Sequence, residues 1–214
     1  MSKRMLPLLA VLTIAHIAAP AASAGVIVFD NTGDSVSAAD LFSVPLFASF
    51  STGSNSGPIT SLELGLGVGN PSDGGIVNVA LYADSSTCTG GPVNTTCPGA
   101  FLANLGTLAD SSLSALETLP VSTSPTLAAS TRYWLVLSQS SGSADWDYTA
   151  SASGTGVSGE YWGHGSLEEP NSVPGDTIMQ VTLGTSTVPE PGALALMGCG
   201  LSGLAFAARR RRKT

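Results

Sequence analysis

Several segments of this chain place apolar residues at every second position, a spacing that an α-helix would scatter around its circumference and an extended strand gathers on one face. In Ile76-Val-Asn-Val-Ala-Leu-Tyr82 the shared face carries Val77, Val79 and Leu81, and in Thr177-Ile-Met-Gln-Val-Thr-Leu183 it carries Met179, Val181 and Leu183. Ile59 to Leu66 alternates at Leu62, Leu64 and Leu66, whereas Tyr133-Trp-Leu-Val-Leu137 is apolar throughout and suits a central strand. Shorter strand candidates are Val26–Phe29, Leu46–Ser51, Leu102–Leu108 and Trp146–Ala150, and Leu113–Leu119 reads as either a helical turn or an edge strand. Clusters such as Gly69-Asn-Pro-Ser-Asp-Gly-Gly75 separate them. Many short strands between turn signals predict an all-β fold, a two-sheet sandwich of jelly-roll-like wiring.

Both ends of the chain have a different composition. Lys3 and Arg4 precede an apolar run from Met5 to Ala19, and Ala22-Ser-Ala24 places small residues before Gly25. That order is a secretory signal peptide over 1–24, cut between Ala24 and Gly25 by signal peptidase. At the other end Val188-Pro-Glu-Pro191 is followed by 17 uncharged residues, Gly192 to Ala208, and then by Arg209, Arg210, Arg211, Arg212 and Lys213. Such a run is just long enough to cross a hydrocarbon core of about 30 Å as a helix. The basic cluster holds the C-terminus on the cytoplasmic side. Pro189 and Pro191 bias their neighbours to extended backbone, so Glu190 is presented in a form a protease can grip. The expected organisation is therefore a signal peptide (1–24), an exported domain (25–184), a linker with the proline motif (185–191), a transmembrane helix (192–208) and a basic tail (209–214).

The order of proline motif, apolar span and basic cluster resembles the PEP-CTERM tail of Gram-negative bacteria. That resemblance implies a precursor held transiently in the inner membrane, recognised by a membrane-embedded exosortase, cut near Val188, Pro189, Glu190 and Pro191, and released to the cell surface or extracellular matrix.

Charge bounds the partners of the exported domain. Of eight basic residues seven lie in the two ends, leaving Arg132 alone, whereas fourteen of fifteen acids lie between 25 and 188. Nucleic acid and anionic membrane surfaces are disfavoured as partners on electrostatic grounds. Cations, neutral glycans and basic proteins are compatible with it, although an acidic excess also serves simply to keep an exported, lysine-poor protein soluble. Outside the apolar tail the only cysteines are Cys88 and Cys97. In an oxidising compartment they are expected to pair, and with only His164 as another soft ligand a zinc site is not expected.

The signals for catalysis are weak. His164 is the one histidine of the exported region and is flanked by Gly163 and Gly165, without a G-x-S-x-G elbow to present a serine. The pairs Glu168–Glu169 and Asp145/Asp147 are neighbours in sequence, which does not establish the facing carboxyls that glycoside hydrolysis needs. Gly154-Thr-Gly-Val-Ser-Gly159 has glycines at dinucleotide-binding spacing but no strand-to-helix context. The expectation is a non-enzymatic protein with no cofactor.

Two binding readings stay open beside plainer ones. Asp30-Asn-Thr-Gly-Asp34 crowds oxygen ligands into a turn, so Asp30 and Asp34 are candidates for Ca²⁺, with an ordinary Asx turn as the first reading. Trp146, Tyr148, Tyr161 and Trp162 lie close to Asp145, Asp147 and Glu160. They either fill the core, the first reading, or stack on sugar rings. Asn94-Thr-Thr96 fits the N-glycosylation acceptor pattern.

A second resemblance rests on Asp30-Asn-Thr, Ile76-Val-Asn-Val-Ala-Leu-Tyr and Thr131-Arg-Tyr-Trp-Leu-Val-Leu. Together they look like the choice-of-anchor R type of exported bacterial domain, and the likeness implies surface exposure only. The functional expectation is a surface or matrix protein with a role in exopolysaccharide or biofilm matrix. The alternative is a carbohydrate- or calcium-binding adhesin module.

Overall fold

The computed structural model of the chain describes residues 25–68, 74–86, 88, 96–150, 153–165 and 176–185. Among them there are thirteen strands and no α-helix. Their order is β1 (Val26–Asp30), β2 (Ala38–Leu41), β3 (Leu46–Ser51), β4 (Ile59–Leu64), β5 (Leu66–Val68), β6 (Ile76–Ser85) and β7 (Cys97–Ala109). After a 3-10 turn at Asp110–Ser112 come β8 (Glu117–Pro120), β9 (Arg132–Gln139), β10 (Ala144–Thr149), β11 (Trp162–His164), β12 (Asp176–Thr177) and β13 (Met179–Leu183).

All pairings are antiparallel. One sheet runs β1-β13-β4-β8 and a second runs β11-β3-β9-β6-β7. The alternating residues do what their spacing predicts. Val77, Val79 and Leu81 from the second sheet and Leu62, Leu64, Met179, Val181 and Leu183 from the first are essentially without solvent exposure and join one core. Burying each such side chain stabilises the fold by about 1.5–3 kcal/mol. The result is sandwich-like, with the core between the two larger sheets. Of the two readings of Leu113–Leu119 the edge strand holds: the 3-10 turn ends at Ser112, and the segment runs on into β8, the outer strand of the first sheet.

The fold departs from a plain pair of sheets at Gly65 and Ile178. There the β4–β13 pair parts, and both continuations, β5 and β12, pair with β10, which pairs with β2 on its other edge. The junction is held by Gly65 N–H to Ile178 O, Ile178 N–H to Asp147 O and Asp147 N–H to Gly65 O, each 2.8 Å. Asn31, which is buried, completes it: its Nδ2 donates to Thr177 O at 3.0 Å and its Oδ1 accepts from Met179 N at 2.8 Å. A side-chain amide thus serves backbone groups that lose their ladder partners where the strands diverge. At Gly65 a Cβ would lie 2.6 Å from the Cβ of Ile178, so the crossing requires glycine.

Cys88 and Cys97 form a disulfide, as the sequence predicts. Among the described residues no helix is long and apolar enough to cross a membrane. The segments 1–24 and 186–214, on which the expected signal peptide, the proline motif and the expected 192–208 helix fall, lie outside the described residues.

Candidate functional site

On strand β3 the residues that alternate with the core-facing Leu46, Ala48 and Phe50 are Phe47, Ser49 and Ser51, and they lie on the outer face of the second sheet. Phe47, Trp134 and Val136 form a small second core there, against which Tyr82 and Tyr161 pack. At its edge sits the lone cation of the exported region. Arg132 Nε donates to Glu160 Oε2 at 3.0 Å, and its Nη2 donates to Gly159 O at 2.8 Å. The guanidinium carbon stands 4.9 Å from the centre of the Tyr161 ring.

Glu160 is almost completely enclosed, its side chain 2% exposed, and it is fully provided with donors. Ser49 Oγ donates to Oε2 at 2.5 Å, and Ser51 Oγ donates to Oε1. Asp84 extends the network, accepting from Trp134 Nε1 at 2.7 Å and from Thr96 Oγ1. A buried carboxylate persists as an anion only with such partners. This is the one ion pair among the described residues.

Arg132 and Glu160 lie on a cleft of about 440 Å³ whose wall also includes Ser51, Thr52, Asn55 and Thr155. The far wall is the Gly154–Gly159 segment. Its glycines have a structural cause: a Cβ at Gly154 would come within 2.0 Å of Asp30 O, and one at Gly156, where φ is +71°, within 2.1 Å of Val28 O. They let the loop lie directly on β1, where Asp30 and Thr155 exchange backbone hydrogen bonds of 2.9 and 3.0 Å.

The predicted binding residues are dispersed. Trp146 is wholly buried, with its Nε1 donating to Ile178 O at 3.1 Å, and Trp162 is 6% exposed. Tyr148 stacks on Trp162 at 5.0 Å between centroids and 19° between planes. These three rings therefore belong to the core side, the first of the two readings, and of the four only Tyr161 joins the outer-face cluster. Asp30 Oδ1 accepts from Thr32 N at 3.0 Å and from Thr32 Oγ1, forming the Asx turn, while Oδ2 accepts from Gln180 Nε2 at 3.1 Å. Asp34 is occupied by Ser153 N (3.1 Å) and Ser153 Oγ. A cation at this turn would have to displace those donors. The His164 ring sits 6.5 Å from that of Trp162. Glu168, Glu169 and Asn94 lie outside the described residues.

Three carboxyl groups titrate above their ordinary range. Asp176 is pushed up to about 7, first by burial and then by the charges of Glu160 and Asp34. Asp145 is raised by burial and by Asp110, with the Gly67 amide offsetting part of the effect. Asp147 is raised by burial and by Asp145. Among the described residues no group of three or more His, Cys, Asp or Glu side chains is placed to hold a metal ion.

Residues 187–212 match the model of the PEP-CTERM protein-sorting motif. The match begins just beyond β13 and covers the proline motif, the apolar run and most of the basic cluster. It implies an exported protein processed by an exosortase. No curated protein and no solved structure matches the chain.

Proposed function

We propose that this is an exosortase-processed protein of the cell surface or extracellular matrix, with a non-enzymatic role in exopolysaccharide or biofilm matrix. The observation that carries the reading is the sorting motif at 187–212, attached directly to a β domain. In this reading 1–24 is removed by signal peptidase before Gly25, the 192–208 helix stops transfer, and Arg209 to Lys213 stay inside until the exosortase cuts near Pro189–Pro191. The exported domain is of the choice-of-anchor R-like kind and wired like a jelly roll. Neighbours far apart in sequence, such as β1 with β13 and β3 with β9, support that wiring. The test is intact-mass measurement of the protein from its host with and without the exosortase. A C-terminus that shortens only when the enzyme is present is expected. An identical C-terminus in both hosts would overturn processing.

A carbohydrate-binding adhesin is the second reading, favoured by the cleft of mixed polarity beside Arg132, Glu160, Ser51 and Asn55. Titration of the protein with the host's exopolysaccharide, with calcium and with a chelator, tests it. Saturable binding that Asn55→Ala weakens is the expected result, and no binding in either condition would sink this reading.

A further inference from the structure

Three buried oxygen atoms in one patch have no hydrogen-bond partner: Asp110 Oδ1, Ser143 Oγ and Asp145 Oδ1. Asp110 is wholly buried. Its other oxygen accepts from Ser143 N at 3.1 Å and from Gln139 Nε2 at 3.2 Å, which ties the 3-10 turn to the start of β10. Ser143 and Asp145 occupy alternate positions there, on the side opposite Ala144 and Trp146, which are turned into the core. Ser143 and Asp145 thus share one side of the chain at the start of β10, and Asp110 is tied to the same place through Ser143 N–H and lies close enough for its charge to act on Asp145.

The surrounding backbone is kept bare. A Cβ at Gly142 would lie 2.5 Å from Asp110 Oδ2, and one at Gly67 would lie 2.0 Å from Asp145 Oδ1. Buried polar atoms in native folds almost always have partners, so three orphans at one spot call for a group that the protein itself does not supply. Two of the three atoms belong to carboxylates, which favours a cation over a neutral water molecule in that place. Arg132, the only basic residue between 25 and 188, is committed to Glu160.

We propose that Asp110, Ser143 and Asp145 form part of a binding site for a hard divalent cation, calcium. Calcium takes six to eight oxygen ligands in flexible geometry, mixing carboxylates with neutral oxygens and water. Magnesium demands a near-ideal octahedron and keeps most of its water, so it fits an enclosed, mixed set less well. With two carboxylates the affinity falls in the range of extracellular modules, with Kd of about 10⁻⁴–10⁻³ M. The site is separate from the Asp30–Asp34 turn, whose carboxylates already have donors. It does not depend on the surface or matrix reading above.

The test uses the full chain in detergent, stripped with EDTA and dialysed, then titrated with calcium chloride by calorimetry and thermal unfolding. One calcium per chain and a rise in midpoint of several degrees at about 10 mM are expected. Asp145→Asn should abolish both effects yet melt at or above the wild-type temperature in EDTA, because it relieves repulsion with Asp110. Ser143→Ala should weaken binding by about tenfold, and Asp34→Asn should bind as wild type does. Near-ultraviolet circular dichroism in EDTA confirms that each variant is folded. No heat and no midpoint shift in the wild type would overturn the site, and so would unchanged binding in Asp145→Asn.

Discussion

Val26 lies directly opposite Leu183 across the β1–β13 ladder. The first strand of the exported domain and its last are therefore neighbours, and the chain enters and leaves the fold at one end. Gly184 N–H to Pro58 O, 2.8 Å, fixes the exit. The Met179 end of β13, with β10 and the orphan oxygens of Asp110, Ser143 and Asp145, points the other way. A domain tethered through the sorting tail thus keeps this acidic end away from its attachment.

Arg132→Ala leaves Glu160 enclosed with two serine donors and no countercharge. The expected loss is about 3 kcal/mol, the low end for a broken buried pair because Ser49 and Ser51 remain. Arg132→Lys should recover only part of it, since one ammonium cannot reach Glu160 and Gly159 and also cover Tyr161. Urea unfolding of the three proteins measures both effects.

Asp176 makes stability depend on pH in an unusual direction. An unfolded aspartate titrates near 3.9, whereas the folded one titrates at about 7. Between these values the folded state keeps a proton that the unfolded state gives up. Its contribution is complete below about pH 4, falls as pH rises, and is gone above about pH 7. Asp145 and Asp147 act in the same sense. Asp176→Asn should stabilise the protein at pH 8 by roughly 2 kcal/mol, have little effect at pH 4, and flatten the profile of melting temperature against pH.

Asn31→Ala removes two hydrogen bonds from inside the fold and strands Thr177 O and Met179 N–H where β13 departs from β12. A loss of about 2–4 kcal/mol is expected, because each buried backbone group left unpaired costs roughly 1–3 kcal/mol. Asn31→Asp should be nearly as harmful, since a carboxylate repels Thr177 O. Amide exchange should quicken first at Met179 and Ile178.

Reducing the Cys88–Cys97 bond, or changing both residues to Ser, removes a constraint on a short loop. The expected cost is about 2.5 kcal/mol in the chain-entropy model. Chemical unfolding with and without reductant reads it directly.

What the sequence reveals and conceals here follows from the range of the physics. Period-two burial is local, so Val77, Val79, Leu81, Met179, Val181 and Leu183 announce their face without help from the rest of the chain. Strand β2 escapes the same reading because Ala38-Ala-Asp-Leu41 is mostly exposed and is held by hydrogen bonds to β10 rather than by an apolar side. Arg132 is conspicuous as a lone base, but its partnership with Glu160 depends on how β9 and β11 flank β3. The glycines at 154 and 156 stand out in the sequence, and their reason lies on β1, more than a hundred residues earlier. The clustering of Asp110 with Asp145 is likewise tertiary, created where the 3-10 turn meets β10.

The central position of β13, between β1 and β4, has a mechanical consequence. A pull applied through the residues after Leu183 acts along the strand axis, while the ladder bonds on both flanks lie across it. Load is then shared by both rows at once instead of opening them one by one. A polymer matrix or flowing medium dragging on the domain would meet resistance in shear, and the limit on survival becomes the rate of forced unfolding rather than equilibrium stability.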